Sequence, residues 1–159
     1  MSVKILITKE GYERLIAEIN DLIQIQRPHV TKTISEAREL GDLSENAEYH
    51  TAREKQRIID SKLSSLQRIF TNAEIIDIAN IVNKDTIRFG ATVTYTNHNL
   101  ERDVSVKILS EYESDPSKMY ISLNTPIAKC LLGKKIGDSA NLEINNTTHE
   151  LEIINIQYI

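Results

Sequence analysis

The sequence predicts an α+β protein. An antiparallel α-helical coiled-coil hairpin, residues 1–75, is followed by a small antiparallel β-rich domain with one short helix, residues 76–159. Two observations lead to this prediction. In the first part, apolar residues recur at alternating spacings of three and four, which is typical of a coiled-coil seam. Beyond Ala73 the period falls to two and Val, Ile and Thr become frequent, which indicates short strands.

The first arm of the hairpin is predicted to begin after Thr8, whose hydroxyl is a good N-cap, and to continue to Leu40. Its predicted seam comprises Ile16, Ile19, Ile23, Gln26, Val30, Thr33, Ala37 and Leu40. Pro28 lies inside this segment and removes one backbone donor. Because the seven-residue repeat continues through Pro28, we expect a kink there and not a break.

The second arm repeats the pattern with a predicted seam of Ala52, Gln56, Ile59, Leu63, Leu66, Phe70 and Ala73. Two seams joined by a short turn predict an antiparallel hairpin. With about 30 residues per arm at ~1.5 Å each, the rod would be roughly 45 Å long. Such a rod is too thin to enclose a pocket, so its function is expected to depend on what its end can reach.

The β-rich domain is predicted from alternating apolar and polar residues. Strands are expected at residues 74–78, 87–89, 91–95, 104–109, 120–123, 140–144 and 150–154, with turns at 97–99, 114–116 and 145–146. One short helix is expected where Thr125 can act as N-cap, Pro126 can occupy the first helical position, and Gly133 can end the helix.

The charge and composition exclude several functional classes. The chain has 19 Lys and Arg against 23 Asp and Glu, a net charge of −4. Because counterion release requires a surplus of basic residues, binding of nucleic acid across a whole face is not expected, which leaves only local basic clusters. The single cysteine, Cys130, can form neither an intramolecular disulfide nor a zinc site of paired cysteines. No apolar run approaches the ~18 residues of a membrane span, so we expect a cytoplasmic protein without a membrane partner.

Two acidic residues lie at the predicted turn of the hairpin. Asp42 and Glu45 are three residues apart, and one interpretation is structural: Asp42 as N-cap and Glu45 at the third helical position would form a capping-box-like pair. Ser44 is an equally good N-cap, and in that case both carboxylates would face solvent. Two exposed carboxylates could hold Mg²⁺ only loosely, since this ion keeps several waters, and another molecule would have to complete the site.

Two arginines flank the same turn from opposite arms. The predicted pairing places Arg38 and Arg53 at a similar height along the hairpin. They could receive phosphate groups, because a guanidinium forms paired hydrogen bonds with phosphate oxygens. They could equally be solvated charges on the helix surface.

The turn carries a family resemblance. The run LGDLSENAEYH at residues 40–50, with Ala52, Arg53 and Glu54 behind it, resembles the tip signature of the bacterial Gre transcript-cleavage factors, of the GreA type in particular. Segments 8–11, 75–77, 89–93, 126–128 and 132–134 also resemble their family counterparts, so the likeness covers the whole chain. It implies that the β-rich domain has a fold like that of FK506-binding proteins.

The resemblance also implies a function. Gre factors bind RNA polymerase, pass the coiled coil through its secondary channel and stimulate the polymerase's own cleavage of backtracked RNA, without a complete active site of their own. The catalytic carboxylates supplied in trans would be Asp42 and Glu45, which would hold a second Mg²⁺ only within the complex. The nascent RNA 3′ end would contact Arg38 and Arg53. The polymerase-docking surface would include Asn124, Thr125, Pro126 and Ile127. The free protein would be a monomer without bound Mg²⁺.

Three other functions are compatible with parts of the sequence. A Gre-like inhibitor could occupy the same channel, although the intact run Gly41 to Asn46 argues against it. A hairpin adaptor or chaperone would use the tip only to bind a protein. A prolyl isomerase would need an aromatic-lined cavity, for which the second half has few residues. Within the family, the near-neutral hairpin lacks the broad basic face expected of GreB-type relatives, which favours action on short backtracks.

Overall fold

A computed structural model describes residues 3–159, and its backbone divides into two compact units. The first unit contains Val3 and residues 12–73, and the second contains residues 4–11 and 74–159. The division at residue 75 predicted from the sequence assigns the N-terminal segment to the hairpin. In the structure, residues 4–11 belong with the β-rich unit instead.

The first arm of the hairpin is continuous from Lys9 to Arg38. It consists of α1 (Lys9–Asp21), one π-helical turn (Leu22–Gln26) and α2 (Arg27–Arg38). The predicted N-cap is confirmed, because Oγ1 of Thr8 accepts a hydrogen bond from the N–H of Gly11 at 3.0 Å.

The predicted continuity through Pro28 is also confirmed, and the π-helical turn explains it. Proline has no N–H, and its ring clashes with the carbonyl four residues earlier in a regular α-helix. In the turn that immediately precedes α2, the N–H of Arg27 donates to the carbonyl of Leu22, five residues back. Such a turn is the wider π-helical form, which inserts one residue into the helix. The helix therefore accommodates the proline without a break.

The seam predicted for the proximal part of this arm is wrong by one residue. Leu15 and Leu22 are buried, with 0% and 1% exposure, whereas Ile23 and Gln26 are exposed. At the far end Leu40 is exposed as well.

The π-helical turn is the physical reason for this shift. Leu15 and Leu22 are seven residues apart, as are the buried residues Val30 and Ala37, but Leu22 and Val30 are separated by eight. The extra residue fits within the wider turn, so both segments present buried residues on one face. A seven-residue repeat extrapolated backward from Val30 selects the wrong positions.

The second arm is a single helix, α3 (Ala47–Asn72). The predicted seam is confirmed by four buried residues, Ala52, Ile59, Leu63 and Leu66. Phe70 is 46% exposed, yet its ring stacks on Tyr12 of the first arm with centroids 5.8 Å apart. Ala73 begins a strand and is not part of the helix.

Ion pairs between the arms establish their antiparallel direction. Glu18 pairs with Lys62 at 2.8 Å, and Arg27 pairs with Asp60 at 3.5 Å. Residues early in the first arm thus lie beside residues late in the second. These pairs are largely exposed, so each contributes little to stability compared with the buried seam.

The second unit is built on two sheets. Strands β1 (Ile5–Thr8) and β2 (Ala73–Ile76) form a two-stranded sheet. The five-stranded sheet has the order β5-β4-β3-β7-β6 and contains β3 (Thr92–Asn97), β4 (Arg102–Leu109), β5 (Tyr120–Ser122), β6 (Ser139–Ile144) and β7 (Thr147–Gln157). Its neighbours are antiparallel except for β4 and β5, which are parallel. The antiparallel prediction therefore holds with that one exception.

Two local predictions differ in outcome. The strand expected at residues 87–89 does not form, although Thr86 makes an isolated bridge with Lys135 and Ile87 is buried in the core. The turn at Asn145 and Asn146 is confirmed: both residues have left-handed φ angles, 51° and 64°. Two consecutive left-handed residues match the tight turn that connects paired strands, and asparagine tolerates this conformation.

The predicted short helix is confirmed as α4 (Pro126–Leu131). Oγ1 of Thr125 accepts from the N–H of Ala128 at 3.3 Å, which caps the helix. Ala128 and Leu131 are fully buried and belong to the same apolar cluster as the inner side of the five-stranded sheet. The helix therefore covers one face of the sheet and leaves the other face to solvent.

A buried carboxylate in this unit was not predicted. Glu113 is 6% exposed, and it accepts hydrogen bonds from the N–H and hydroxyl of Thr8 and, at 2.7 Å, from the hydroxyl of Ser110. It lies so close to Gly11 that a side chain at position 11 would overlap it. Thr8 is thus bound, within the β-rich unit, by a carboxylate 105 residues away.

Candidate functional site

The end of the hairpin is formed by residues 39–46, between α2 and α3. Gly41 has a φ of +133°, a value that residues with a side chain rarely adopt, so the turn requires glycine there. Residues 39–45 are all exposed to solvent, including the apolar Leu40 and Leu43. The tip is therefore available to another molecule.

The helix cap after the turn is Asn46. Its Oδ1 accepts from the N–H of Tyr49 at 3.0 Å, and its Nδ2 donates to the carbonyl of Ala37 at 2.5 Å. Asn46 thereby starts α3 and also ties it to the last turn of α2. The interpretation of Asp42 as N-cap is wrong, and Ser44 is not the cap either. Asparagine is as good an N-cap as aspartate or serine. The presence of Asn46 directly before Ala47 was the sequence signal from which this cap could have been predicted.

Asp42 is oriented by its neighbour Ser44. Oδ1 of Asp42 accepts from the backbone N–H of Ser44 at 3.0 Å and from its hydroxyl at 2.9 Å. The backbone N–H, followed by the hydroxyl, holds the pKa of Asp42 below its ordinary value, because both donors favour the charged form. Both bonds end on Oδ1, so within residues 3–159 no donor engages Oδ2. Asp42 therefore presents Oδ2, the second oxygen of its carboxylate, to solvent.

Glu45 has no hydrogen bond or ion pair within the described residues, 3–159, and is exposed. Since Asn46 caps the helix, neither carboxylate is required for helix capping. Both are free to bind a ligand at the end of the hairpin.

The donor set fits part of a Mg²⁺ site. Carboxylate oxygens are the ligands that Mg²⁺ prefers, and it usually takes one or two of them together with waters and phosphate oxygens. In the part of the chain that the structure describes, no group of three or more His, Cys, Asp or Glu side chains could hold a metal. Asp42 and Glu45 are two carboxylates of this kind, and if they bound Mg²⁺, water or a second molecule would have to complete its coordination.

The two predicted arginines are both neighbours of Tyr49. The guanidinium of Arg38 lies over the ring of Tyr49, 5.7 Å from its centroid, and so connects the two arms. Arg53 follows Tyr49 by four residues, which places it on the same face of α3. Nη1 of Arg53 donates to Gln56 at 2.7 Å. The structure thus brings both cations to one region of the hairpin, close behind the acidic tip.

The predicted docking loop is well ordered by its own hydrogen bonds. The N–H of Asn124 donates to the hydroxyl of Ser122 at 3.1 Å, and the hydroxyl of Thr125 donates to the carbonyl of Ser122 at 2.7 Å. Asn124 and Pro126 are exposed, while Ile127 packs partly against the core. The loop therefore presents a fixed polar and apolar surface in the β-rich unit.

Among residues 3–159, no helix combines the length and apolar character needed to cross a bilayer.

Comparison with protein families gives matches along almost the entire chain. The model described as "Transcription elongation factor, N-terminal" matches residues 5–75. The model described as "Transcription elongation factor, GreA/GreB, C-term" matches residues 82–158. The boundary between the two models falls close to the boundary between the structural units at residues 73 and 74.

Curated relatives match the chain over most of its length. The transcription elongation factor GreA of Rickettsia felis is 40% identical over 158 residues, covering 99% of this chain and 97% of the relative. GreA of Helicobacter pylori is 40% identical, covering 93% and 90%. GreA of Paracoccus denitrificans is 40% identical, covering 98% and 99%.

Solved structures also align with the chain. The GreA factor homolog 1 of Thermus thermophilus is 25% identical, covers 97% of this chain and 99% of that chain, and has a TM-score of 0.46. The elongation factor GreA/GreB from Nitrosomonas europaea is 19% identical, covers 98% and 100%, and has a TM-score of 0.43.

Proposed function

Because the chain belongs to the GreA/GreB family of transcription elongation factors, we propose that it binds RNA polymerase, passes its hairpin through the secondary channel and stimulates cleavage of backtracked RNA. The observation that carries this proposal is the exposure of two carboxylates at the tip of the hairpin. Asp42 and Glu45 are exposed carboxylates at the end of a long hairpin, and neither is needed for helix capping. They form part of a metal site, and the polymerase would supply the rest.

The tip residues divide this task among them. Asp42 and Glu45 would hold a Mg²⁺ in the complex, with Oδ2 of Asp42 free because Ser44 occupies Oδ1. When bound, such an ion activates an attacking water or stabilises a leaving oxygen in phosphoryl chemistry. Asn46 keeps the carboxylates at a fixed place relative to both arms by its bonds to Ala37 and Tyr49.

The arginines would hold the RNA. A phosphate of the displaced 3′ segment would pair with Arg38 and Arg53, which lie behind the tip on opposite arms. The stacking of Arg38 on Tyr49 limits the conformations of that side chain, so less conformational entropy is lost when a phosphate binds.

The β-rich unit would provide a second contact with the polymerase through Asn124, Thr125, Pro126 and Ile127. The loop is pre-ordered by its bonds to Ser122, which lowers the entropic cost of association. We further propose that the free protein is a monomer that cleaves no RNA, because its metal site is incomplete until the complex forms.

The test uses a halted, backtracked polymerase complex with RNA labelled at its 5′ end and Mg²⁺ present. Adding the protein is expected to shorten the labelled RNA from its 3′ end. Asp42→Asn and Glu45→Gln keep the side-chain size and remove the charge, so they should leave little or no cleavage at the Mg²⁺ concentration that gives half-maximal cleavage with the parent. The matched control is Glu36→Gln, which makes the same change at an exposed position on α2.

Binding of each variant is measured separately, by competition with the labelled parent protein for the polymerase. Full binding with no cleavage supports the proposal. If both variants cleave as fast as the parent, the assignment of the tip is wrong. If the parent binds and slows RNA synthesis without cleavage, the protein is an inhibitor occupying the same channel.

A further inference from the structure

His50 lies in the first turn of α3, and its side chain reaches back to the tip of the hairpin. Its Nε2 lies 3.4 Å from the carbonyl oxygen of Ser44. Because a carbonyl oxygen can only accept a hydrogen bond, Nε2 must carry a proton and donate it. Neither metal binding nor RNA binding, as proposed above, gives this side chain a task.

The hydrogen bond of His50 joins the loop that carries the carboxylates to a helix. This loop, residues 41–45, is called the tip loop below. Asn46 bonds to Ala37 and Tyr49, so it joins the two helices but does not engage the tip loop. Among the residues that the structure describes, no other hydrogen bond connects residues 41–45 to α2 or α3. The position of the tip loop relative to α3 therefore depends on His50.

Ser44 connects His50 to both carboxylate residues. Its N–H and hydroxyl donate to Oδ1 of Asp42 at 3.0 and 2.9 Å, while its carbonyl oxygen accepts from His50. The peptide group that contains this carbonyl also contains the N–H of Glu45, and a peptide group is planar. A bond to the carbonyl of Ser44 therefore restrains the backbone at Glu45 as well as the donors that orient Asp42.

Tyr49 limits the positions that the imidazole ring can take. The rings of Tyr49 and His50 meet edge to face, with centroids 5.5 Å apart and an interplanar angle of 65°, an arrangement that aromatic pairs favour. The other neighbour of Tyr49 is the guanidinium of Arg38. His50 thus has Tyr49 on one side and the tip loop on the other.

The bond is long and exposed, and both properties determine where its effect should appear. Its 3.4 Å exceeds the ~3.2 Å of an ordinary N–H···O bond, but hydrogen bonds at reaction centres are often long in the free protein and shorten in the complex. Since His50 is exposed, water competes for its donor and the bond adds little to the stability of the fold. Its effect is therefore expected in the order of the tip loop.

We propose that His50 is a positioning residue: through Ser44 it holds the tip loop so that Asp42 and Glu45 face the same metal ion. This inference rests on the function proposed for the tip. The donor at Nε2 is present whether or not Nδ1 is also protonated, so the role requires no proton transfer. An amide donor at the same place should therefore replace the imidazole, which would not be true of a general acid or base.

The first test uses the free, full-length protein without polymerase and without Mg²⁺. Nitrogen-15 relaxation measures the order parameters of the backbone amides of Leu43, Ser44 and Glu45. His50→Leu removes the donor and should lower these order parameters. His50→Gln should restore them, because the glutamine amide can place its N–H near the position of Nε2. His29→Leu makes the same change at an exposed position of α2 and should leave the tip loop as in the parent.

The second test measures RNA cleavage in backtracked polymerase complexes as a function of Mg²⁺ concentration, at saturating amounts of each variant. His50→Leu should raise the Mg²⁺ concentration for half-maximal cleavage by about two- to fivefold, the effect of losing one hydrogen bond. His50→Gln and His29→Leu should have midpoints close to that of the parent. Binding to the polymerase is measured by competition, as for the tip variants.

The outcomes separate this inference from the function on which it rests. If the parent cleaves RNA and the Mg²⁺ midpoint of His50→Leu equals that of the parent, the positioning role is overturned. It is also overturned if His50→Gln behaves like His50→Leu, because the donor would then not be the property that matters. If the parent binds the polymerase but cleaves no RNA, the function proposed for the tip fails, and with it the role toward a metal ion. In that case the relaxation data decide only whether His50 orders the tip loop.

Discussion

At the scale of single residues, the tip depends on three polar side chains with different tasks. Ser44 engages one oxygen of Asp42, and Asn46 caps α3 and bonds to α2. The sequence alone could not distinguish these tasks, since Asp42, Ser44 and Asn46 are all good N-caps within five positions of each other. Only the backbone geometry shows which of them starts the helix and which are left for a ligand.

The first prediction concerns the charge of Asp42. Both donors of Ser44 stabilise the ionised carboxylate and lower its pKa, so Ser44→Ala, which removes the hydroxyl, should raise that pKa part of the way to its ordinary value. The backbone N–H still donates, so the change should be incomplete. The measurement is a carbon-13 titration of the Asp42 carboxyl group. Ser44→Thr retains a hydroxyl and serves as the control; an unchanged titration in Ser44→Ala would contradict the role given to Ser44.

The second prediction concerns Asn46. Asn46→Ala removes both the cap of α3 and the bond to Ala37, and losing an N-cap costs about 1–2 kcal/mol. The tip should open more often, which hydrogen exchange at the amide of Tyr49 would report as faster exchange. Asn46→Asp keeps the acceptor for Tyr49 and loses only the donor to Ala37, so its exchange should lie between those of Asn46→Ala and the parent. Equal exchange in all three proteins would contradict the role given to Asn46 in capping α3 and joining it to α2.

At the scale of the elements, the second arm was predictable and the first was only partly so. The repeat in α3 is uninterrupted, and its predicted seam residues Leu63 and Leu66 are buried. In the first arm the eight-residue spacing between Leu22 and Val30 cannot be recognised from the sequence. Ile23 lies seven residues before Val30 and therefore also fits a regular seven-residue repeat. A π-helical turn leaves no periodic signal, although Pro28 marks the place where the helix had to adjust.

The third prediction tests this register. Leu22 is 1% exposed and Ile23 is 39% exposed, so the two neighbouring residues should respond very differently to truncation. Leu22→Ala should destabilise the protein by about 2–5 kcal/mol through a cavity in the seam. Ile23→Ala should cost about 1 kcal/mol or less, since little buried surface is lost. Urea unfolding followed by circular dichroism measures both changes in stability. A larger loss of stability for Ile23→Ala than for Leu22→Ala would contradict the shifted register and support an uninterrupted seven-residue repeat.

At the scale of the whole molecule, the chain passes between its two units three times, after Val3, after Gly11 and after Ala73. The β-rich unit therefore includes the first strand and the first turn of α1. Pattern analysis could not show this, because the contact that fixes it, Thr8 with Glu113, joins residues 105 positions apart and has no periodicity. The general fold class followed from the change of period near Ala73, which is a local property.

The fourth prediction concerns Gly11. A methyl group there would overlap the buried carboxylate of Glu113, whose hydrogen bonds to Thr8 and Ser110 oppose its movement. Gly11→Ala should therefore destabilise the protein by about 1–3 kcal/mol, the usual cost of overpacking. The matched control is Ala17→Gly, at an exposed position of α1, which should cost about 1 kcal/mol through helix propensity alone. Thermal unfolding compares the variants, and a stabilised Gly11→Ala protein would show that Glu113 can move away.

The central claim is that the tip carboxylates hold a metal ion only together with the polymerase. The most direct measurement is the rate of RNA cleavage in backtracked complexes as a function of Mg²⁺ concentration, at saturating amounts of the parent or of Asp42→Asn. If Asp42 is a ligand, the variant should need a higher Mg²⁺ concentration for half-maximal cleavage than the parent does. Two curves with the same midpoint and the same maximum would contradict the claim.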